Sequence, residues 1–191
     1  MITDWRSYHG NWESDVFDQA ECQKFIPSRF GHSRHVTPNF FVPPIVVAGW
    51  IRIAEDREGL TGNNSAFDGI HLHVGHLGND RNYVASLVRR DGHSVISREY
   101  GWRGYDDIDR EPNGPEFLLH RVYVFQVLWK IDEIWAKVSD WGVTREFGGL
   151  IPRLANTGPS AGTHRPLIPA GAIGIRGDNL ILQAGLAVRE I

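Results

Sequence analysis

Cysteine is nearly absent. Cys22 stands alone among 191 residues, so the chain can build neither an intramolecular disulfide framework nor a thiolate zinc cluster. Cys22 also lacks a neighbouring His or Arg signature that would mark it as a nucleophile. Lysine is scarce, with 3 against 17 arginines, which leaves planar, bidentate donors as the main cations. Neither sign of charge dominates: 20 basic against 23 acidic residues give a formal charge of −3, which argues against a nucleic-acid or anionic-membrane surface. No apolar run approaches the roughly 20 residues needed for a bilayer-spanning helix. A Gly-rich phosphate loop and a dinucleotide fingerprint are both missing, and with them go the nucleotide enzymes. The opening Met1-Ile2-Thr3-Asp4-Trp5-Arg6 has no basic patch followed by an apolar stretch, so the expectation is a cytoplasmic chain, or a secreted one if a leader has been removed.

Glycine, proline and aromatic residues are plentiful: 21 Gly, 10 Pro, and 11% aromatic with seven Trp, five Tyr and nine Phe. The Gly and Pro positions cut the chain into short runs rich in Val, Ile, Tyr, Phe and Trp, which is the signature of strands. The length suits one domain over residues 1–191 with a core that needs no staples. Residues 45–53 follow Pro43-Pro44 and read as a strand. Residues 68–74 alternate, with Ile70, Leu72 and Val74 on one face and His71 and His73 on the other. Residues 83–90 run into Asp91-Gly92, a hairpin signal, and return along 94–100. Residues 171–176 lead through Asp178-Asn179 to a terminal strand over 180–188. Residues 101–115 and 152–169 read as long polar loops. Two segments stay ambiguous. Residues 13–25 admit a short helix through Val16, Phe17, Ala20 and Lys24. Residues 127–141 carry apolar positions at nearly helical spacing, against a rival reading of two strands, 121–130 and 134–139, with a turn at Asp132-Glu133. The crowding of Val, Tyr, Phe and Trp in 122–129 favours the strands.

In this order the elements resemble the concanavalin A-like lectin/glucanase superfamily, in particular its laminin-G-like bacterial branch. The resemblance rests on Trp5 followed by Gly10-Asn11-Trp12, the apolar strand from Val46 to Ile53, Gly69 to Val74, Asn82-Tyr83-Val84-Ala85-Ser86-Leu87 into Asp91-Gly92, the hairpin 122–138, and Ala170-Gly171-Ala172-Ile173-Gly174-Ile175 before the last strand. It implies an all-β fold, an antiparallel two-sheet sandwich of the jelly-roll type. It also implies a ligand across the concave sheet, and so a carbohydrate- or glycoside-binding, lectin-like module. The last strand holds Leu182-Gln183-Ala184-Gly185 where such domains often carry Phe-Asp-Asn, so a structural calcium is not supported and no cofactor is expected. The acidic run Asp106-Asp107-Ile108-Asp109 with Glu111 reads as a solvated loop rather than a calcium site. The retaining-glucanase signature is missing, and no carboxylate pair stands at alternate positions of an expected strand.

Candidate ligand-binding residues are those on the polar phases of the strands: His71 and His73, Arg90 (in phase with Ser86), and Trp135 with Lys137, joined by Gln126 or Tyr123 from the neighbouring strand according to which of its two phases faces the groove. An indole offers an apolar face to sugar C–H groups, while Arg, His and Gln reach hydroxyls or a carboxylate. Whether the reading is catalytic stays open. A polysaccharide lyase or glycoside hydrolase in the same groove would draw on His71, Tyr123 and Arg90 as base, acid and carboxylate neutraliser. A second alternative is a cupin-like metal enzyme on His71-x-His73-x-x-His76, although Leu77 and Gly78 stand where the cupin pattern wants a Glu. A third is a non-catalytic oligomerisation domain. The expected partner is a carbohydrate or glycoside, with no nucleic acid and no membrane, and a homo-oligomer as an open alternative.

Overall fold

The alternation of apolar and polar residues that fills the sequence produces fourteen strands. A computed structural model describes residues 1–57, 68–78, 81–100, 105–154 and 162–191, and among these every regular element is a strand. In chain order they are β1 (Arg6–His9), β2 (Asn11–Phe17), β3 (Ala20–Ile26), β4 (Arg34–Val36), β5 (Ile45–Asp56), β6 (Gly69–His76), β7 (Arg81–Arg89), β8 (Ser94–Tyr100), β9 (Tyr105–Glu111), β10 (Val122–Trp129), β11 (Glu133–Asp140), β12 (Val143–Leu150), β13 (Ala172–Arg176) and β14 (Leu180–Glu190). They form two seven-stranded sheets with the orders β1-β4-β13-β6-β7-β8-β9 and β12-β11-β10-β5-β14-β3-β2. Every named pairing is antiparallel.

The inward phases of the two sheets meet in one core. Ile70, Leu72 and Val74 of β6 and Tyr83, Ala85 and Leu87 of β7 come from the first sheet. The second supplies Ile45, Val47, Ile51 and Ile53 of β5, Tyr123, Phe125, Val127 and Trp129 of β10, and Leu180, Leu182, Ala184 and Leu186 of β14. Each buried Val, Leu, Ile or Phe among them contributes about 1.5–3 kcal/mol by leaving water, and the period of two that places them here necessarily sends the intervening residues outward. The large rings take the middle: Trp129 lies 6.3 Å from Tyr83 across the sheets.

Three expectations are corrected. Residues 13–25 form no helix. They make the β2–β3 hairpin, whose turn residues Asp18 and Gln19 both have positive φ, 49° and 65°, the backbone of a tight two-residue hairpin loop. Residues 101–115 are not wholly a loop, since β9 runs from Tyr105 to Glu111, while residues 101–104 lie outside the described residues. β9 is the edge of the first sheet, where charged side chains are tolerated and guard against further pairing. As a strand it carries Asp107 and Asp109, but a β-bulge pairs Asp107 with Ser97 and Asp109 with Ile96, so the two carboxylates take opposite faces and form no pair. Both are committed to the protein. Asp107 accepts from Ser97 Oγ at 2.9 Å and from Arg110 Nη2 at 2.8 Å. Asp109 accepts from the backbone N–H of Gly148 at 2.7 Å, tying β9 to β12 of the other sheet. The third correction concerns Arg90. The strand reading carried the alternation straight from Ser86 to Arg90, but a β-bulge opposite Ile70 and His71 interrupts it.

The hairpin reading of residues 121–139 holds. β10 and β11 pair from Val124↔Ser139 to Trp129↔Ile134, closed by the Lys130 N–H to Glu133 carbonyl bond at 2.9 Å.

Candidate ligand groove

The outward face of the first sheet is built by the residues that the core leaves over. His71 and His73 point there from β6, Asn82, Val84 and Ser86 from β7, Ser97 and Glu99 from β8, and Arg176 from β13. The bulge between β6 and β7 sets the details. The pairs Ile70↔Val88 and His71↔Ser86 leave Leu87 as the extra residue, so Leu87 and Val88 both enter the core and the phase reverses beyond them. Arg89, not Arg90, therefore turns to the outward face.

A groove of about 490 Å³ runs over this surface, with His71, Ser86, Ser97, Glu99 and Arg176 in its floor. The β13–β14 turn adds Asp178 and Asn179, and Phe30, Gly31 and His32 form a wall that is tied to that turn by Asn179 N–H donating to the Gly31 carbonyl at 2.7 Å. Asn179 has φ of 60°, a left-handed conformation that Asn tolerates better than most residues. Two exposed aromatic side chains border the groove: Phe30, 60% exposed, and Tyr105, 52% exposed.

The polar floor is pre-ordered. His71 Nδ1 and Ser86 Oγ lie 2.8 Å apart. Arg176 donates from Nε to Asp178 Oδ2 at 2.7 Å, and its Nη1 lies 3.8 Å from Glu99 Oε1. Burial alone would push Asp178 up, but the Arg176 guanidinium and the Ser33 N–H outweigh it and hold the carboxyl below the usual range. Asn82 Nδ2 donates to Glu99 Oε2 at 2.9 Å, which leaves Asn82 Oδ1 to accept from His73 Nδ1 at 3.2 Å. That chain assigns the proton of neutral His73 to Nδ1, and the buried Nε2 has no partner among the described residues. Burial first, and the nearby Arg34 and Arg176 next, keep the His73 pKa well below its ordinary value. His76 behind it is lowered to about 4 by burial and then by Arg34. The floor therefore offers guanidinium and amide donors beside carboxylate and hydroxyl acceptors, each aimed by a neighbour.

The sequence candidates divide between places. His71 lines the groove. His73 shares its face but is fully buried beneath the surface, an orienting group rather than a contact. Arg90 turns to Asp56 of β5 at 2.6 Å and over the Phe117 ring at 4.5 Å. Tyr123 is in the core, with its hydroxyl donating to the Glu116 carbonyl at 2.6 Å and its pKa pushed by burial to about 12. The base–acid–neutraliser set His71, Tyr123 and Arg90 is consequently not assembled. Gln126, Trp135 and Lys137 belong to the outward face of the other sheet. For the cupin alternative, no group of three His, Cys, Asp or Glu side chains close enough to hold a metal occurs among the described residues. The sequence reading missed Glu99, Arg176, Asp178, Arg89, Phe30 and Tyr105. Glu99 was within reach, since β8 alternates with Ser97 and Glu99 on its polar phase. Arg89 and Tyr105 were hidden by the bulge and by reading β9 as a loop.

No family model and no curated protein sequence matches the chain. Solved structures do. The carbohydrate-binding module CBM66 from Bacillus subtilis superposes with a TM-score of 0.65 at 10% identity, covering 99% of this chain and 97% of that one. A Bacillus subtilis protein of unknown function with a galectin-like fold gives 0.65 at 14% identity over 99% and 90%. The exoplasmic/lumenal domain of VIP36, in a Ca²⁺/Man3GlcNAc-bound form, gives 0.61 at 9% identity over 98% and 83%. The fold is a lectin-type jelly roll. At these identities the likeness speaks for the jelly roll and its two sheets alone, and the function must be argued from the groove.

Proposed function

We propose that this jelly roll is a carbohydrate-binding module whose ligand lies in the groove of the first sheet. The observation that carries the proposal is the combination there of a pre-ordered polar floor with two exposed aromatic side chains, Phe30 and Tyr105, at its border. A saccharide presents apolar C–H faces and hydroxyls that both donate and accept. It therefore needs aromatic surface together with mixed donors and acceptors held at fixed distances, and Arg176, Glu99, Asp178 and Ser86 supply the second requirement. The charged groups of the floor are paired with one another, so a ligand need not bring a charge of its own. The structural neighbours that bind carbohydrate support the same reading.

The test is a thermal-shift and glycan-array screen of the wild-type protein and a Glu99→Gln variant. A saccharide at 100 times its Kd should stabilise the protein by about 2.7 kcal/mol, and Glu99→Gln should weaken binding about thirtyfold, the loss expected for a half-buried charged acceptor in the floor of a site. A wild-type protein that no saccharide stabilises would refute the proposal.

A further inference from the structure

Gln126, Trp135 and Lys137, which the sequence suggested as ligand contacts, do come together, but on the outward face of the second sheet. They line a separate groove of about 380 Å³. The register of β5, β10, β11 and β12 explains its form. Gln126, Lys137 and Glu146 lie side by side across three strands, and Val46, Leu128, Trp135 and Gly148 lie side by side across four. A polar row and an apolar row thus run in parallel, two residues apart along each strand, or about 7 Å. That spacing suits a ring with one apolar face and hydroxyls around its rim.

The indole is fixed in place. Trp135 Nε1 donates to Glu133 Oε2 at 3.0 Å, and Glu133 is itself paired with Lys130. On one side Trp135 has Leu128 as its cross-strand neighbour; on the other it has Gly148. Gly148 has φ of 143°, and a Cβ there would come within 2.2 Å of the Ile134 carbonyl oxygen and 2.6 Å of Trp135 Cα. Only glycine fits this position, so no side chain covers the indole from the sheet edge. The polar row holds the Lys137–Glu146 ion pair at 3.0 Å, with both side chains half exposed.

We propose that this second groove is an additional carbohydrate site, on the opposite face of the sandwich from the first, so that one chain binds two saccharide strands at once. The choice of ligand class rests on the reading of the first groove as a sugar site; the geometry of the second groove does not. Lys130, Lys137 and Glu146 sit within the groove, where the core of a protein–protein interface would be depleted of Lys and Glu. A pinned indole beside amide, ammonium and carboxylate groups fits a sugar ring instead. Two sites facing apart cannot share one short ligand, but they can bridge two polymer chains, and the gain is one of avidity.

The experiment takes the saccharide with the largest thermal shift and measures stoichiometry by titration calorimetry on four proteins. The wild-type protein should bind two per chain with high affinity; Trp135→Ala and Glu99→Gln should each keep one such high-affinity site, and the double variant none. Lys137→Ala changes only an exposed side chain and should weaken the second site severalfold, which guards against misfolding of Trp135→Ala. With the corresponding polysaccharide, the wild-type chain should cross-link and precipitate the polymer and each single variant should not. One site per chain that Glu99→Gln abolishes and Trp135→Ala leaves intact would overturn the second site while the first reading stands. So would sedimentation showing a dimer that Trp135→Ala dissociates, because a second copy would then occupy the groove. No binding of any saccharide would overturn both readings.

Discussion

At the scale of single residues, the groove depends on groups that never touch its opening. His73 is fully buried, yet its Nδ1 proton settles which way the Asn82 amide faces, and the amide in turn holds Glu99. Replacing Asn82 by Leu removes a donor and an acceptor from a buried chain and leaves the Glu99 carboxylate short of a partner. The cost of such a loss is about 1–3 kcal/mol of stability. Urea unfolding of Asn82→Leu should show that loss, and saccharide titration should show weaker binding than the wild-type protein gives. Equal stability of Asn82→Leu and the wild-type protein would mean that the chain of bonds contributes nothing.

At the scale of elements, the β6–β7 bulge decides which arginine faces the groove. Gly69 is part of that decision. A Cβ at Gly69 would stand 2.0 Å from the Val88 carbonyl oxygen and 2.9 Å from Arg89 Cα. Gly69→Ala therefore forces β6 and β7 apart where the phase reverses, costing about 1–3 kcal/mol or more, and displaces both Arg89 and His71. The expected outcome is a lower urea midpoint together with weakened saccharide binding. A Gly69→Ala protein with wild-type affinity would separate the bulge from the site. The strands themselves were legible in the sequence because Val, Ile, Tyr and Phe alternate with polar residues at a period of two, as in residues 70–74 and 122–129. The bulge was not legible. Two successive apolar residues, Leu87 and Val88, look the same whether they end an alternation or reverse it, and only the pairing with Ile70 and His71 distinguishes the two.

At the scale of the whole molecule, three buried neutral histidines tie stability to pH. His35 lies in the core side of β4 against the Phe25 ring, with burial lowering its pKa to about 4, as for His76, and burial also holds His73 well below its ordinary value. An unfolded histidine takes its proton near pH 6.5, whereas the folded ones resist until about pH 4. Between those values the unfolded state binds more protons, so stability is complete above about pH 6.5 and falls as the pH drops towards 4, by up to about 1.4 kcal/mol per pH unit for each histidine. Urea midpoints at pH 7.5 and 5 should therefore differ markedly, and His35→Gln should flatten the dependence. Identical midpoints would show that these imidazoles are not neutral in the folded protein. The carboxylate of Asp178, held low by Arg176, loses its contribution only below this window.

The sequence by itself determined the fold class and the central strands, β5 to β8, β10, β11, β13 and β14. Alternation fixes which residues can share a face, glycine and proline fix where the chain turns, and an antiparallel sandwich follows once each strand has one apolar face to bury. It also determined that His71 and His73 share a polar strand face, and that Trp135 and Lys137 share another by the period of two. What it could not determine is which sheet each strand joins. That depends on long-range pairings such as β6 with β13 and β10 with β5, which lie far apart along the chain. Tertiary structure alone therefore put the histidines and the indole on opposite faces, brought Glu99, Arg176 and Asp178 into one floor, and turned one expected groove into two.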